Sequence, residues 1–119
     1  MICDDKRDML EFFELVFQRK YDLILVDSGE ECIDKYLEAK NRGNKIHLIL
    51  LDYKLGGMPG DSVARKIKEY NGTKIILISA YDVDDELVKE LQDGKYITRY
   101  IQKTIDTDRL VELVTEIAC

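Results

Sequence analysis

Cysteine is scarce in this chain and spaced for no framework. Cys3, Cys32 and Cys119 are odd in number and far apart, and no CxxC pair occurs. That argues against the disulfide scaffold of a small secreted domain and against the usual zinc spacings. Basic charge is short as well: 18 Lys and Arg stand against 24 Asp and Glu, for a formal net charge of −6. A nucleic-acid footprint is usually basic, so direct nucleic-acid binding is not expected. Long apolar runs are missing. The longest, "IHLILL" and "IILISAY", fall far short of the ~20 residues that span a bilayer. The opening residues lack the basic, apolar pattern of a signal peptide. The expectation is a reduced, cytoplasmic protein without membrane contact.

What is present suffices for one core. The 119 residues are 45% apolar, which fits a single domain over 1–119. Short runs of Ile, Leu and Val recur without polar alternation: "DLILV" at 22–26, "IHLILL" at 46–51 and "KIILIS" at 74–79. Strands buried on both faces have that composition. "MIC" at the start and "RYIQ" at 99–102 are weaker strand candidates.

Amphipathic stretches lie between them. Phe12, Phe13, Val16 and Phe17 mark a first helix, and Ile33, Tyr36 and Leu37 a second. Val63, Ile67 and Tyr70 mark a third, with Asp61 or Ser62 as the expected N-cap. Val83, Leu87, Val88 and Leu91 mark a fourth; Leu110, Leu113, Val114 and Ile117 mark a fifth. Glycines 29, 43, 72 and 94 fall near element ends. Alternating strands and helices with right-handed crossovers give an α/β, (βα)5 three-layer sandwich around a five-stranded parallel sheet. For the flavodoxin-like order 2-1-3-4-5, ligands bind at the carboxyl ends of the first and third strands, where strand order reverses.

Those strand ends carry chemistry. The first ends at Asp4 and Asp5, the third at Asp52, the fourth at Ser79 and the fifth at Lys103. Taken singly, each reads as a cap, a turn residue or a surface charge. Brought to one edge of one sheet, three carboxylates repel unless a proton or a cation intervenes. Oxygen-only donors suit Mg2+, which is completed by water and phosphate oxygens. Neither His47 nor a cysteine sits at a predicted strand end of the cluster, so zinc is not favoured. A carboxylate beside Mg2+, with a lysine and a hydroxyl opposite, suits phosphoryl transfer, with Asp52 as nucleophile.

With "CDD", "LLD", "ISAY" and "YIQK" in this order, the whole chain resembles the receiver domain of two-component response regulators. The resemblance implies that Asp52 is the phosphoacceptor, that Asp5 binds Mg2+ directly and Asp4 through water, and that the Lys54 carbonyl is a further ligand. It implies that Ser79 follows the phosphoryl group on activation, that Tyr100 turns inward with it, and that Lys103 bonds phosphoryl or carboxylate. A sensor histidine kinase or phosphotransfer protein would supply the phosphate. The fourth helix, fifth strand and fifth helix would form the changed surface, which can also pair two copies. An output protein or fused domain would read it.

This chain departs from the family pattern. Thr104 stands where the family usually has proline after the lysine, so a trans peptide and a changed loop are expected there. The chain begins within the first strand, so a short or trimmed strand is expected. Lys54, two positions after Asp52, is expected to compete with Mg2+ for the acids, and Tyr81 to shield the same pocket from water. The chain reads as a signalling phosphoacceptor rather than an enzyme. Three alternatives remain: an interaction module that works without phosphate, a phosphohydrolase of the haloacid-dehalogenase type, and a flavin-binding domain. The phosphohydrolase wants Asp-x-Asp after the first strand, and the flavin site wants a Ser/Thr/Gly-rich loop there; "CDDKRDM" offers neither.

Overall fold

The computed structural model describes residues 1–70, 73–80 and 82–118. Gly72, Tyr81 and Cys119, each given a place in the sequence reading, lie outside the described residues. Ten elements alternate along the chain: β1 (Ile2–Cys3), α1 (Arg7–Phe17), β2 (Leu25–Val26), α2 (Gly29–Asn41), β3 (Leu48–Asp52), α3 (Gly60–Glu69), β4 (Lys74–Ser79), α4 (Asp85–Asp93), β5 (Arg99–Gln102) and α5 (Thr107–Ala118). The strands form one parallel sheet in the order β2-β1-β3-β4-β5.

The near-continuous apolar strands are explained by what covers them. Successive strand side chains point to opposite faces. In β3 and β4, Ile49, Leu51, Ile75 and Leu77 pack with Val63, Ile67 and Leu91 on the face of α2, α3 and α4. Leu50, Ile76 and Ile78 pack with Phe13, Phe17, Leu110, Leu113 and Val114 on the face of α1 and α5. Both faces are dry, so neither position of the alternation is polar.

Several details differ from the sequence expectation. The second strand is only Leu25–Val26, because its partner β1 offers only Ile2–Cys3 to pair with; residues 22–24 run on as irregular chain. The third strand is displaced to Leu48–Asp52, and the carbonyl of Ile46 accepts instead from the Thr73 hydroxyl at 2.6 Å. On α1 the buried residues are Phe13 and Phe17, while Phe12 faces outward at 39% exposure; the two adjacent rings meet edge to face. Val83 is buried but precedes α4, whose N-cap is Asp84.

The third helix starts earlier than Asp61 or Ser62 would place it. Pro59 is the N-cap residue and makes no side-chain cap, so Asp61 falls in the first turn. There its charge complements the helix N-terminus. Close backbone packing explains the early start. The Gly60 N–H donates to the Tyr53 carbonyl at 2.7 Å. A Cβ on Gly60 would lie 2.5 Å from the Asp52 carbonyl oxygen and 2.8 Å from the Tyr53 Cα. Both obstacles are backbone, so Gly60→Ala is expected to cost about 1–3 kcal/mol, the usual penalty of overpacking. A lowered urea midpoint at unchanged slope checks this; an unchanged midpoint would show that the loop yields freely.

Candidate functional site

The parallel register brings the acidic residues to one edge. Ile2 pairs with Leu50 and Cys3 with Leu51, so the chain leaving β1 passes beside the end of β3. Each of Asp4, Asp5 and Asp52 offers a carboxylate oxygen within 4.8 Å of the others. Asp4 and Asp52 are buried, at 1% and 3% exposure, whereas Asp5 is exposed. The site thus has two walls inside the protein and one open to solvent. A cleft of about 190 Å3 opens there, lined by Asp5, Lys6, Asp52, Lys54, Ala80 and Lys103.

Buried carboxylates need partners. Asp4 has two: its Oδ1 accepts from the Lys6 backbone N–H at 2.9 Å, and its Oδ2 from the Lys103 ammonium at 2.8 Å. The same ammonium lies 3.5 Å from Asp52 Oδ2. Lys103 is placed by β5 and by its own N–H, which donates to the Ser79 carbonyl at 2.7 Å. Its one ammonium therefore bridges β1 and β3, from a residue late in the chain.

That cation does not neutralise the cluster. Burial, and the neighbouring Asp4 carboxylate, raise Asp52 from the usual 3.8 to about 6; the Lys103 ammonium and the Lys54 N–H lower it in part. A second cation close to Asp52 would relieve the remaining repulsion. The donors available are oxygen atoms. The nearest thiol, Cys3, points into the α2 face, where it donates to the Ser28 carbonyl at 3.4 Å. The hydrogen bond with Cys32, and burial, push that thiol far above its ordinary range. A hard, oxygen-preferring ion such as Mg2+ fits this donor set, and a thiophilic one does not.

The remaining sequence candidates are placed as follows. Ser79 is buried at the end of β4, paired in register with Gln102. Tyr100 is half-buried on β5 and packs against the core under α2, α3 and α4. Lys54 is exposed at the cleft, and its backbone N–H bonds the Asp52 carboxyl. No cis peptide occurs among the described residues, in keeping with Thr104 after Lys103. Sequence reasoning missed two contributors. The Lys6 N–H is a backbone donor that no side-chain motif reveals. The carboxamide of Gln102 donates to the Asp82 carboxylate at 2.6 Å; only the β4–β5 register could have paired them.

Comparison with known proteins agrees with this geometry. The family model of the response regulator receiver domain matches residues 1–115. The response regulator ArlR of Staphylococcus saprophyticus is 30% identical over 112 residues, covering 93% of this chain and 48% of that protein. The hybrid signal transduction histidine kinase I of Dictyostelium discoideum is 26% identical, covering 88% of this chain but 6% of its own length. The chain thus spans about half of one such relative and a small part of another. Among solved structures, the CheX–CheY–BeF3–Mg2+ complex of Borrelia burgdorferi contains a chain with the same fold, at a TM-score of 0.86 and 24% identity, covering 99% of this chain and 87% of that one. The matched segment takes in all three acids, Ser79 and Lys103, and the chain belongs to the response regulator receiver domain family.

Proposed function

We propose that this domain takes a phosphoryl group onto Asp52, with Mg2+ held by Asp5, Asp52 and the Lys54 carbonyl and by Asp4 through water. The observation that carries the proposal is the pairing of one partly buried ammonium with two buried carboxylates at the carboxyl edge of β1 and β3. A merely structural ion pair needs one acid. Here a second is retained beside it although its burial is unfavourable.

The chain's own residues have distinct tasks. An oxygen of Asp52 bonds to phosphorus as the bond from phosphorus to the donor's leaving group breaks. Lys103 supplies a fixed positive charge to the phosphoryl oxygens, and Asp4 holds that ammonium in place. Ser79, once its side chain turns to the phosphoryl group, donates a hydrogen bond. Bound Mg2+ supplies charge neutralisation for the transferring group. Tyr100 is the proposed aromatic switch and Tyr81 a proposed shield. A sensor histidine kinase or phosphotransfer protein in the cytoplasm is the proposed donor. The face of α4, β5 and α5 is the proposed output and pairing surface.

Incubation with acetyl phosphate and Mg2+, followed by intact mass, tests the proposal. One phosphoryl adduct is expected, and none when EDTA replaces Mg2+. A wild-type protein that binds Mg2+ yet gains no adduct would shift the reading to an interaction module independent of phosphate.

A further inference from the structure

The acidic cleft lies at the carboxyl edge of the sheet, and a second hollow opens at the opposite edge. β1 begins at Ile2, which pairs with Leu25 on one side and Leu50 on the other. Before those partners, residues 22–24 and 45–47 run as irregular chain. Among the described residues no strand fills the space between them. The result is a cavity of about 500 Å3. Small-molecule sites usually measure ~300–1,000 Å3, and the acidic cleft is smaller, at about 190 Å3.

The walls and the rim of this cavity differ in chemistry. Ile2, Phe17, Leu50 and Val114 line it, are buried, and belong to the core under α1 and α5. Ile24, exposed at 37%, marks the mouth. Around it stand the exposed Lys20, Lys45 and His47, and Asp22 is the one acid among the lining residues. Two lysines against one acid make this rim net positive, in a chain whose net charge is −6.

Backbone pairing and charge together choose the occupant. An inserted peptide strand would need free backbone carbonyls along the cavity. Here the Ile24 carbonyl accepts from the Ile2 N–H at 2.8 Å, and the Leu48 carbonyl from the Met1 terminal ammonium at 2.9 Å. The Ile46 carbonyl accepts from the Thr73 hydroxyl. A hydrocarbon tail needs none of these groups and gains by leaving water. A carboxylate head is attracted by the two ammoniums, a cationic head is repelled, and a neutral head gains neither effect.

We propose that this cavity binds a small amphipathic carboxylate of the medium-chain fatty acid class. The tail packs on Phe17, Leu50 and Val114, and the head lies toward Lys20 and Lys45. The cavity shares no lining residue with the acidic cleft, so the proposal does not rest on the phosphoacceptor reading.

Titration of the full chain with octanoate, followed by backbone amide NMR shifts, tests the site. Saturating one-site shifts are expected within residues 17–24, 45–50 and 114–118, and none at residues 52–54 or 103. Octanol, with the same tail and a neutral head, is expected to bind about two- to fivefold more weakly, the usual worth of an exposed ion pair. Octylammonium should bind more weakly still. Lys20→Gln combined with Lys45→Gln should lower octanoate affinity by about the same factor and leave octanol unchanged. Ile24→Trp fills the mouth from an exposed position, where the fold tolerates it, and should abolish binding of both. Absence of saturating shifts, equal affinity for octanoate and octanol, or binding that survives Ile24→Trp would each overturn the proposal. Shifts at the same residues with a short capped apolar peptide, and none with octanoate, would also overturn it and give the cavity to a polypeptide.

Discussion

Asp52→Asn should take no phosphoryl group from acetyl phosphate and, without metal, should be more stable than the wild type at neutral pH. The first effect is all or none, because an amide oxygen is no substitute for the attacking carboxylate. The second follows from linkage. Asp52 titrates near 6 in the folded chain against a usual 3.8, so the folded state favours its protonated form. Below about pH 4 both states carry the proton and the group has no effect on folding. As pH rises through the window from about 4 to about 6, the unfolded state ionises first and stability is lost. Above it the loss is complete, and two pKa units correspond to at most about 3 kcal/mol.

The amide is neutral at every pH and nearly the same shape. The variant-minus-wild-type difference in unfolding free energy should therefore be near zero at pH 4 and grow to about 1–3 kcal/mol in favour of the variant at pH 7.5, several degrees in Tm. Urea melts at a series of pH values in EDTA check this. A variant less stable than wild type at pH 7.5 would show that the Asp52–Lys103 contact outweighs burial and repulsion. Added Mg2+ should reverse the order, since it stabilises only the protein that binds it.

Lys103→Met should have the opposite effect on the metal-free protein. The ammonium lies 2.8 Å from Asp4, which is 1% exposed. Deleting one partner of a buried pair leaves the other charge uncompensated and typically costs about 3–5 kcal/mol. Two features moderate the cost here. The open side toward Asp5 admits water, and Asp52, relieved of the ammonium that lowers it, takes up a proton more readily. The expected loss is about 2–4 kcal/mol at pH 7.5, shrinking as the pH falls.

Mg2+ should bind this variant more tightly than wild type, because no ammonium then shares the carboxylates, while phosphoryl uptake from acetyl phosphate falls. Titrating Lys54→Ala alongside separates the two lysines. The contacts predict the larger gain in Mg2+ affinity for Lys103→Met, since Lys103 lies 2.8 Å from Asp4 and 3.5 Å from Asp52. A larger gain for Lys54→Ala would return the competition to the residue that the sequence singled out.

The fold was legible because its signals are local. Buried parallel strands must be apolar at every position, and "LILL" and "IILI" are. The helix stripe of Leu110, Leu113, Val114 and Ile117 is buried entirely as its spacing requires. Local signals mislead where a neighbour decides the outcome. The apolar run at 22–26 outlasts the second strand because that strand's length depends on β1. The helix α3 starts before Asp61 because Gly60 packs on the backbone of Asp52 and Tyr53. Phe12 lies outside the covered face, and the stripe alone does not say how wide that face is.

The order of the strands was supplied by analogy with the flavodoxin-like fold, whereas local pattern by itself determined the alternation of strands and helices, hence a parallel sheet, and the residue types at the strand ends. It thereby placed Asp4, Asp5, Asp52, Ser79 and Lys103 at one edge. Tertiary structure alone decided which of them touch. Asp4 rather than Asp52 holds the Lys103 ammonium most closely, Asp5 alone faces solvent, and Gln102 grips Asp82. Those choices depend on ångström differences in register and burial, and Coulomb and desolvation energies change steeply over such distances, whereas the hydrophobic pattern that selects the fold does not.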